Sequence, residues 1–458
     1  MKIKFLGGVR TVTGTCFFLH NQDKRILVDC GMYQGPDADS INRRDFGFDP
    51  AGIDCLFLTH SHLDHVGLVP RLVNEGFRGK IITTSAAADI AELILYDSAH
   101  IQESDAEWHN RKALRTGLEP VKPLYVSRDV DKVIPMIERK RYGNIEELCQ
   151  GIRYRFVDAG HILGSSTLEL WYSDGRDKKI VFSGDIGKKD NPIVNDPVFV
   201  EETDYLTIES TYGNRNHKGM DESIDELVDI IKTTFKKGGN VIIPSFALGR
   251  TQDLLYILNK LVKDGRLFRI NVYIDSPLAE RITMVYAAHP EYFDREAQQL
   301  FNIESRDAIR IYFTRRTEDS MALNRIKSEA IIIAGSGMCE GGRIRHHLKH
   351  NLWRKESGIV FVGYQAEGTL GREIVDGARI VEVLGENIVV RAGIHTLGGF
   401  SAHADRDQLI NWISKFENSP EIFIVHGEEK VSREFQTLIN GRFPYKTHIP
   451  SYAEEFEI

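Results

Sequence analysis

The segment that most constrains this chain is FLTHSHLDHVG, residues 57–67, because three histidines and an aspartate follow a short apolar run. The apolar run is typical of a buried strand, and the VGLVPRLVNEG that follows has helical spacing and a glycine stop. In extended geometry His60 and His62 share one face, and the chain turns at Asp64 and His65. Imidazoles and carboxylates bind zinc and similar divalent metals. Four such residues within six positions predict two metal ions close together.

Five further residues of ligand type occur where a strand-like run or a glycine turn ends. They are Asp29 in LVDCG, His161 in DAGHILGSS, Asp185 in VFSGDIG, His403 in GGFSAHAD and His426 in IFIVHGE. Any one of them alone is weak support for a metal site. Two metals need more ligands than one segment supplies, and strand ends can bring remote side chains to one edge of a sheet.

Composition narrows the class of protein. The chain has 458 residues, of which 42% are hydrophobic and 27% charged, enough for roughly two to three globular domains. A net charge of −8 means that any nucleic-acid contact must come from a local basic surface. The five cysteines form no C-x-x-C pair, which argues against a cysteine zinc knuckle or a disulfide framework. The start, MKIKFLGGVRTVTG, lacks a signal peptide's apolar core, and no apolar run could span a bilayer, so we expect a cytoplasmic protein without a membrane partner.

The pattern of elements changes along the chain. Short strands with glycine turns fill the first part, and residues 85–115 predict a long helix. From about residue 211, strands and helices alternate, as in NVIIPSF followed by ALGRTQDLLYILNKLV. Such alternation predicts a parallel sheet covered by helices on both faces. Strands return from about residue 378, and because no linker is visible, an inserted domain is as plausible as domains in series.

Two sets of motifs in the chain resemble those of a known family. HSHLDH with DCG, GHILGS and SGDIG resembles the metallo-β-lactamase fold. IESTYGNR, PSFALGRTQDLL, GSGMCEGG, VGYQAEGTLGR, FSAHAD and IVHGE resemble its β-CASP branch, which holds RNA nucleases related to the endonuclease subunit of the mRNA cleavage and polyadenylation complex. The resemblance implies an αββα sandwich from residues 1–210 and 378–458, with a parallel-sheet α/β domain, residues 211–377, inserted. Met1 lies almost on the first strand, so we expect the short form without an N-terminal RNA-binding extension.

Carried onto this chain, the resemblance implies two zinc ions. The first would be bound by His60, His62 and His161. The second would be bound by Asp64, His65 and His426. Asp185 would bridge the two ions, Asp29 would orient a histidine of the site, and Glu209 would pair with His403.

The chemistry of a phosphodiester agrees with this assignment. Two cations stabilise the charge of the transition state, and the 3′ oxygen that leaves needs a proton. A histidine held by a carboxylate can supply that proton, so we predict His403 as general acid and Glu209 as its orienter. The catalytic set is then Asp64, His403, Glu209 and Asp29. The products would carry 5′-phosphate and 3′-hydroxyl ends.

The inserted block offers contacts for single-stranded RNA. GSGM, residues 335–338, follows a strand and precedes a helix, so its backbone N–H groups could contact an anion. It is not the G-x-G-x-x-G pattern of a dinucleotide site, because Glu340 stands where the third glycine would be. Arg250 would contact phosphate or form a salt bridge within the insert. His346, His347 and His350 would form a solvated basic face or steer RNA. The predicted contacts are Arg250, Ser336, Gly337, Gln365, Thr369 and His395.

Several alternatives stay open. A DNA nuclease of the same branch tends to have an apolar residue where this chain has His426, which favours RNA. A hydrolase of small lactams, thioesters or sulfur compounds is disfavoured by the large insert and FSAHAD. A scaffold without catalysis is disfavoured because every ligand position is filled. We therefore expect a zinc-dependent ribonuclease that acts chiefly as an endonuclease, with a 5′-exonuclease mode left open. Monomer and homodimer are not distinguished.

Overall fold

The computed structural model describes residues 1–21, 24–35, 37–117, 119–173, 175–268, 270–300, 309–366 and 368–458. It divides into two compact units. The first comprises Met1–Lys189, Asp196–Asn216 and His403–Ile458, and the second comprises Asp190–Asn195 and His217–Ala402.

The strands, in chain order, are β1 (Lys2–Gly7), β2 (Cys16–His20), β3 (Arg25–Val28), β4 (Cys55–Phe57), β5 (Lys80–Thr84), β6 (Ile137–Lys140), β7 (Glu146–Cys149), β8 (Ile152–Asp158), β9 (Ser166–Ser173), β10 (Asp177–Phe182), β11 (Tyr205–Glu209), β12 (Val241–Pro244), β13 (Asn271–Asp275), β14 (Arg310–Phe313), β15 (Ala330–Ala334), β16 (Gly358–Phe361), β17 (Ile380–Val383), β18 (Glu386–Val389), β19 (Gly393–Thr396), β20 (Glu421–Val425), β21 (Lys446–His448) and β22 (Glu455–Glu457).

The helices are α1 (Ala38–Asn42), α2 (Leu63–Val66), α3 (Val69–Asn74), α4 (Ser85–Thr116), α5 (Ser127–Val133), α6 (Met220–Lys236), α7 (Arg250–Lys263), α8 (Pro277–Ala288), α9 (Arg295–Leu300), α10 (Thr317–Leu323), α11 (Ile344–Asn351), α12 (Leu370–Val375), α13 (Arg406–Ile413) and α14 (Glu429–Arg442). Among the described residues, no helix is both long enough and apolar enough to cross a membrane.

The first unit is a sandwich of two sheets. Their strand orders are β22-β1-β2-β3-β4-β5-β6 and β21-β20-β11-β10-β9-β8-β7. Aromatic side chains from both sheets meet between them: the ring centroids of Phe5 and Phe423 are 5.2 Å apart, and those of Phe57 and Tyr154 are 4.9 Å apart. Burial of this apolar layer is the main force that holds the two sheets together.

Helices cover the outer face of each sheet in the first unit. Residues of α3, α4 and α5 pack with the first sheet in one apolar cluster. Residues of α13 and α14 pack with the second sheet in another, which contains the fully buried Trp412. The layers are therefore α, β, β, α, and the predicted fold class is confirmed for this unit.

The second unit contains a parallel sheet of order β14-β13-β15-β12-β16-β19. Successive residues of β12 and β15 are all buried, so side chains on both faces are covered, as expected for strands between two layers of helices. The predicted parallel α/β insert is thus confirmed.

The chain returns to the first unit at His403. β19 forms a parallel ladder with β16, so residues 393–396 belong to the inserted sheet. The sequence boundary at residue 377 therefore falls before the last strand of this sheet. Periodicity within a short segment does not reveal that β19 pairs with a strand as remote in sequence as β16. The predicted boundary at residue 377 therefore differs from the observed one.

Candidate metal centre

The candidate site lies where strands of both sheets in the first unit end. His60 and His62 follow β4, His161 follows β8, Asp185 follows β10 and His426 follows β20. β10, β11 and β20 are parallel neighbours, and β8 runs in the same direction because β9 is antiparallel to both β8 and β10. Their carboxyl ends therefore share one edge of the sheet, as the sequence analysis expected.

The backbone of the HSHLDH segment is fixed by the loop after β3. Cys30 N–H donates to the carbonyl of His65 (2.8 Å), and Thr15 N–H donates to the carbonyl of Asp64 (2.8 Å). A Cβ on Gly31 would lie 1.6 Å from that same carbonyl oxygen, so only glycine permits the approach. These contacts set where the side chains of the segment point.

Three histidines and one aspartate form a first group of ligand atoms, all within 4.8 Å of one another. Nδ1 of His62 lies 3.1 Å from Nε2 of His60 and 3.2 Å from Nε2 of His161. Oδ2 of Asp185 lies 3.3 Å from Nε2 of His60 and 3.5 Å from Nε2 of His161. Several lone-pair donors thus converge on one point.

Asp64, His65 and His426 form a second group with the same 4.8 Å criterion. Nε2 of His426 is 3.3 Å from Nε2 of His65 and 3.4 Å from Oδ2 of Asp64. Oδ1 of Asp185 lies 3.4 Å from Nε2 of His65 and 3.6 Å from Nδ1 of His426. Asp185 therefore presents one carboxylate oxygen to each group.

The donor set fits divalent metal ions. Among the described residues, Oδ1 of Asp185 is buried without a hydrogen-bond partner. An orphaned buried carboxylate oxygen is costly, and nitrogen atoms that face each other at 3.1–3.3 Å need a proton or a cation between them. Cations in this position would satisfy both requirements. The arrangement of these residues is therefore suited to metal ions.

Asp29 supports the second group through His65. Oδ2 of Asp29 accepts hydrogen bonds from Nδ1 of His65 (2.8 Å) and from the hydroxyl of Thr59 (2.8 Å), while Oδ1 accepts from Thr59 N–H (2.8 Å). With its Nδ1 engaged in this way, His65 presents Nε2 to the site. Thr59 was missed in the sequence because threonine is not a ligand type, although it immediately precedes His60.

The environment sets the protonation of the site. Burial lowers the pKa of His62 to about 3 and that of His161 well below its usual value, so both rings are neutral, as ligands must be. Burial alone would raise the pKa of Asp64, but the hydrogen bond from His426 and the nearby His65 hold it well below its usual range. Asp185 is likewise held ionised by the surrounding histidines, against its burial.

His403 lies beside the first group and is held by Glu209. Nδ1 of His403 lies 3.1 Å from both carboxylate oxygens of Glu209, which is fully buried and also accepts from Ile186 N–H (2.6 Å). Nε2 of His403 is 3.9 Å from Oδ2 of Asp185. Burial would lower the pKa of His403, but the carboxylates of Glu209 and Asp185 raise it to about 9.

The sequence of this chain is similar to those of known proteins. A family model described as the metallo-β-lactamase superfamily matches residues 9–244. Ribonuclease TTHA0252 of Thermus thermophilus is 37% identical over 94% of this chain and 94% of its own length. The chain belongs to the metallo-β-lactamase superfamily. Models described as the Beta-Casp domain and as the Zn-dependent metallo-hydrolase RNA specificity domain match residues 251–374 and 387–450, which places it in the β-CASP branch.

More distant relatives agree with this membership. Transcription termination factor FttA of Methanocaldococcus jannaschii is 30% identical over 100% of this chain and 72% of its own length. The corresponding factor of Pyrococcus horikoshii is 31% identical over 100% of this chain and 71% of its own length. A crystal structure of a protein of unknown function from Enterococcus faecalis V583 has a similar fold, with a TM-score of 0.58 at 14% identity over 99% of both chains.

The predicted RNA contacts all lie in the second unit: Arg250 directly precedes the Beta-Casp match, four lie within it, and His395 follows it. Gln365 Nε2 donates to the carbonyl of Gly337 (3.0 Å), so these two residues are in contact. Ser336 hydrogen-bonds within its own loop, to Gly341. His395, on β19, is partly buried and lies beside Val360 of β16.

Two of the predicted contacts have structural partners of their own. Arg250 is buried, and its Nη1 lies 3.2 Å from Oδ2 of Asp253, which matches the salt-bridge alternative. The hydroxyl of Thr369 caps α12, accepting from Arg372 N–H (3.2 Å).

The prediction of a histidine-rich surface on α11 is wrong for His347. This side chain is fully buried, and its Nε2 lies 2.6 Å from Oδ2 of Asp275, at the end of β13. The helix spacing of three histidines does not reveal which of them faces the interior. Tyr212, whose ring centroid is 6.1 Å from that of His403, was not predicted from the sequence.

Proposed function

We propose that this chain is a zinc-dependent ribonuclease that cleaves internal phosphodiester bonds of single-stranded RNA in RNA processing or decay. The observation that carries the proposal is Asp185, whose two oxygens face two separate groups of ligand-type residues. That arrangement suits two cations on one phosphate. The 37% identity to a protein named as a ribonuclease, and the match to an RNA specificity domain, support RNA as the substrate.

The seven ligand residues divide into two zinc sites. His60, His62 and His161 would hold one ion. Asp64, His65 and His426 would hold the other. Asp185 would bridge them. When bound, two zinc ions would supply an activated water and neutralise charge on the phosphate.

His403 would provide the proton for the leaving group. Against the effect of burial, the carboxylate of Glu209 raises the pKa of the ring, and it also fixes Nδ1, so that Nε2 is the atom that gives up its proton. The attacking water gives one proton to the solvent, and as its oxygen bonds to phosphorus, the bond from phosphorus to the 3′ oxygen breaks. The proton on Nε2 passes to that 3′ oxygen, which leaves as a hydroxyl. The other product keeps the 5′-phosphate.

The test uses the zinc-replete chain and single-stranded RNA labelled internally and at its 5′ end, beside DNA of the same sequence. We expect RNA fragments of many lengths, each with a 5′-phosphate and a 3′-hydroxyl. His403→Ala should slow the cleavage at least about 100-fold and keep its zinc. His109→Ala, an exposed histidine on α4, serves as the matched control and should cleave as the wild type does.

Other outcomes would contradict parts of the proposal. Release of 5′ mononucleotides alone would make the enzyme a 5′-exonuclease. Cleavage of DNA alone would make it a DNA nuclease of the same branch. Intact polymers with zinc bound would mean that the metal site serves another substrate, and absence of bound metal would favour a scaffold. The mass of the purified chain in solution distinguishes monomer from homodimer.

A further inference from the structure

A short turn links both halves of the candidate site. Residues 210–216 follow β11 directly after Glu209, which holds His403. The hydroxyl of Thr211 lies 3.1 Å from both Nδ1 and the carbonyl oxygen of His426. The turn is therefore attached to a ligand of the second group on one side and, through Glu209, to His403 on the other.

The turn is tightly packed. Gly213 N–H donates to the carbonyl of Ser210 (3.1 Å), and a Cβ on Gly213 would lie 2.7 Å from the side chain of Phe435. Arg406 N–H donates to the carbonyl of Arg215 (3.0 Å), which joins the end of the turn to α13. These contacts fix the backbone that carries Tyr212 and Arg215.

Tyr212 and Arg215 form a stacked pair beside His403. The Tyr212 ring centroid is 6.1 Å from the His403 ring centroid, and Cζ of Arg215 is 5.0 Å from the Tyr212 centroid. Tyr212 is half-buried and Arg215 is exposed. An arginine that stacks on an aromatic ring is oriented in advance, and its planar donors match the two oxygens of a phosphate.

We infer that Tyr212 and Arg215 bind the RNA nucleotide that carries the leaving 3′ oxygen. The inference rests on the proposed function, because His403 must face that oxygen to protonate it. The nucleotide on this side is the one upstream of the scissile bond. Tyr212 contacts its sugar or base, and Arg215 contacts the phosphate at its 5′ side. The pair thus fixes the direction in which RNA crosses the metal centre.

The test is steady-state cleavage of a short RNA with one defined cleavage position. Arg215→Ala should raise KM about tenfold and leave kcat within about twofold, because a charged hydrogen bond to phosphate is lost. The slope of log(kcat/KM) against log salt should become shallower by about 0.7, as expected for one contact to a single strand. Arg153→Ala removes the same charge from an exposed site at the far end of β8, and should match the wild type in KM.

A methylphosphonate linkage, which has no charge, locates the contact. Placed one phosphate upstream of the scissile bond, it should raise KM of the wild type about tenfold and add nothing in Arg215→Ala. Placed one phosphate downstream, it should act equally on both proteins. Tyr212→Phe keeps the ring and should keep the wild-type KM, whereas Tyr212→Leu should resemble Arg215→Ala.

Three results would overturn the inference. One is an Arg215→Ala variant with the same KM and salt slope as Arg153→Ala. Another is coupling of Arg215 to the downstream phosphate instead of the upstream one. The third is an Arg215→Ala variant that has less zinc and a lower kcat but still shows the full effect of the upstream methylphosphonate, which would indicate a structural role. If the wild type cuts no RNA while zinc is bound, the proposed function and this inference both fail; if it cuts RNA and only the variants disagree, this inference alone fails.

Discussion

Replacement of Asp275 tests how the inserted sheet is held together. The carboxylate, at the end of β13, is 1% exposed. It accepts hydrogen bonds from Nε2 of His347 (2.6 Å), from the hydroxyl of Ser320 (2.6 Å) and from Nη1 of Arg343 (2.8 Å), as well as from the hydroxyl of Thr314. One side chain thus connects β13 to the segment after β14, to α10 and to the start of α11.

Asp275→Asn keeps the shape but replaces one acceptor oxygen by an NH2 donor that faces other donors. About two of the four hydrogen bonds are lost, and hydrogen bonds to charged groups contribute about 1.5–3 kcal/mol each. Breaking a buried ion pair costs about 3–5 kcal/mol. We therefore expect the free energy of unfolding of the second unit to fall by about 4 kcal/mol at pH 7.

The effect depends on pH with a definite sign. Burial would raise the pKa of Asp275, but hydrogen bonds from its neighbours, His347 first, hold the pKa well below its usual value. A lowered pKa in the folded state gives stability that is complete above the unfolded pKa, about 3.9, and is lost as the pH falls further. The difference between wild type and Asp275→Asn should therefore narrow below about pH 4.

Hydrogen exchange measured by mass spectrometry gives the free energy of opening for peptides that contain β13 and β15. Asp225→Asn is the control, because Asp225 is an exposed partner of Arg266 in the same unit and should cost less than about 1 kcal/mol. Opening of Asp275→Asn at the same free energy as Asp225→Asn would refute the argument that this buried carboxylate holds the strand ends together.

Three further predictions concern the first unit and the thiols. Glu209→Gln should lower kcat on RNA about 100-fold and leave the zinc content unchanged, because Glu209 orients His403. The control, Glu202→Gln at an exposed position, should have no effect. Loss of zinc together with activity in Glu209→Gln would contradict an orienting role. Gly31→Ala should lower both the zinc content and the melting temperature, because its Cβ would overlap the backbone carbonyl of Asp64. Gly441→Ala is the control and should change neither, because a Cβ there has no neighbour within 4 Å. Equal melting curves for the two variants would contradict the close contact between Gly31 and Asp64. Of the five thiols, only that of Cys149 is partly exposed, so a thiol reagent at pH 8 should modify about one per native chain and five after denaturation; rapid modification of a buried thiol would show that the core opens.

Local patterns in the sequence predicted much of the fold. The long helix expected over residues 85–115 is α4, and the strand–helix alternation after residue 211 is the parallel sheet of the second unit. These elements are visible because apolar spacing is a local property of the chain. The extent of the insert was not visible, since β19 joins that sheet only through its pairing with β16.

In the candidate site, too, the residues of a local motif could be predicted from the sequence, whereas those that depend on tertiary neighbours could not. HSHLDH supplies four ligand-type residues at once, and the structure brings His161, Asp185 and His426 to the same strand ends. Thr59 and Tyr212 were not predicted, because a threonine and a tyrosine give no signal of their own until their neighbours are known. For Arg250, the sequence left a phosphate contact and a salt bridge within the insert both open, and the structure pairs it with Asp253, one helical turn away.

The proposed function requires that Asp185 lies between two zinc ions that act on one phosphodiester. The most direct measurement is an anomalous difference map, at the zinc absorption edge, from crystals of the zinc-replete chain. We expect two peaks, one beside His60, His62 and His161 and the other beside Asp64, His65 and His426, with Asp185 in contact with both. A single peak, no peak, or a peak away from Asp185 would contradict it.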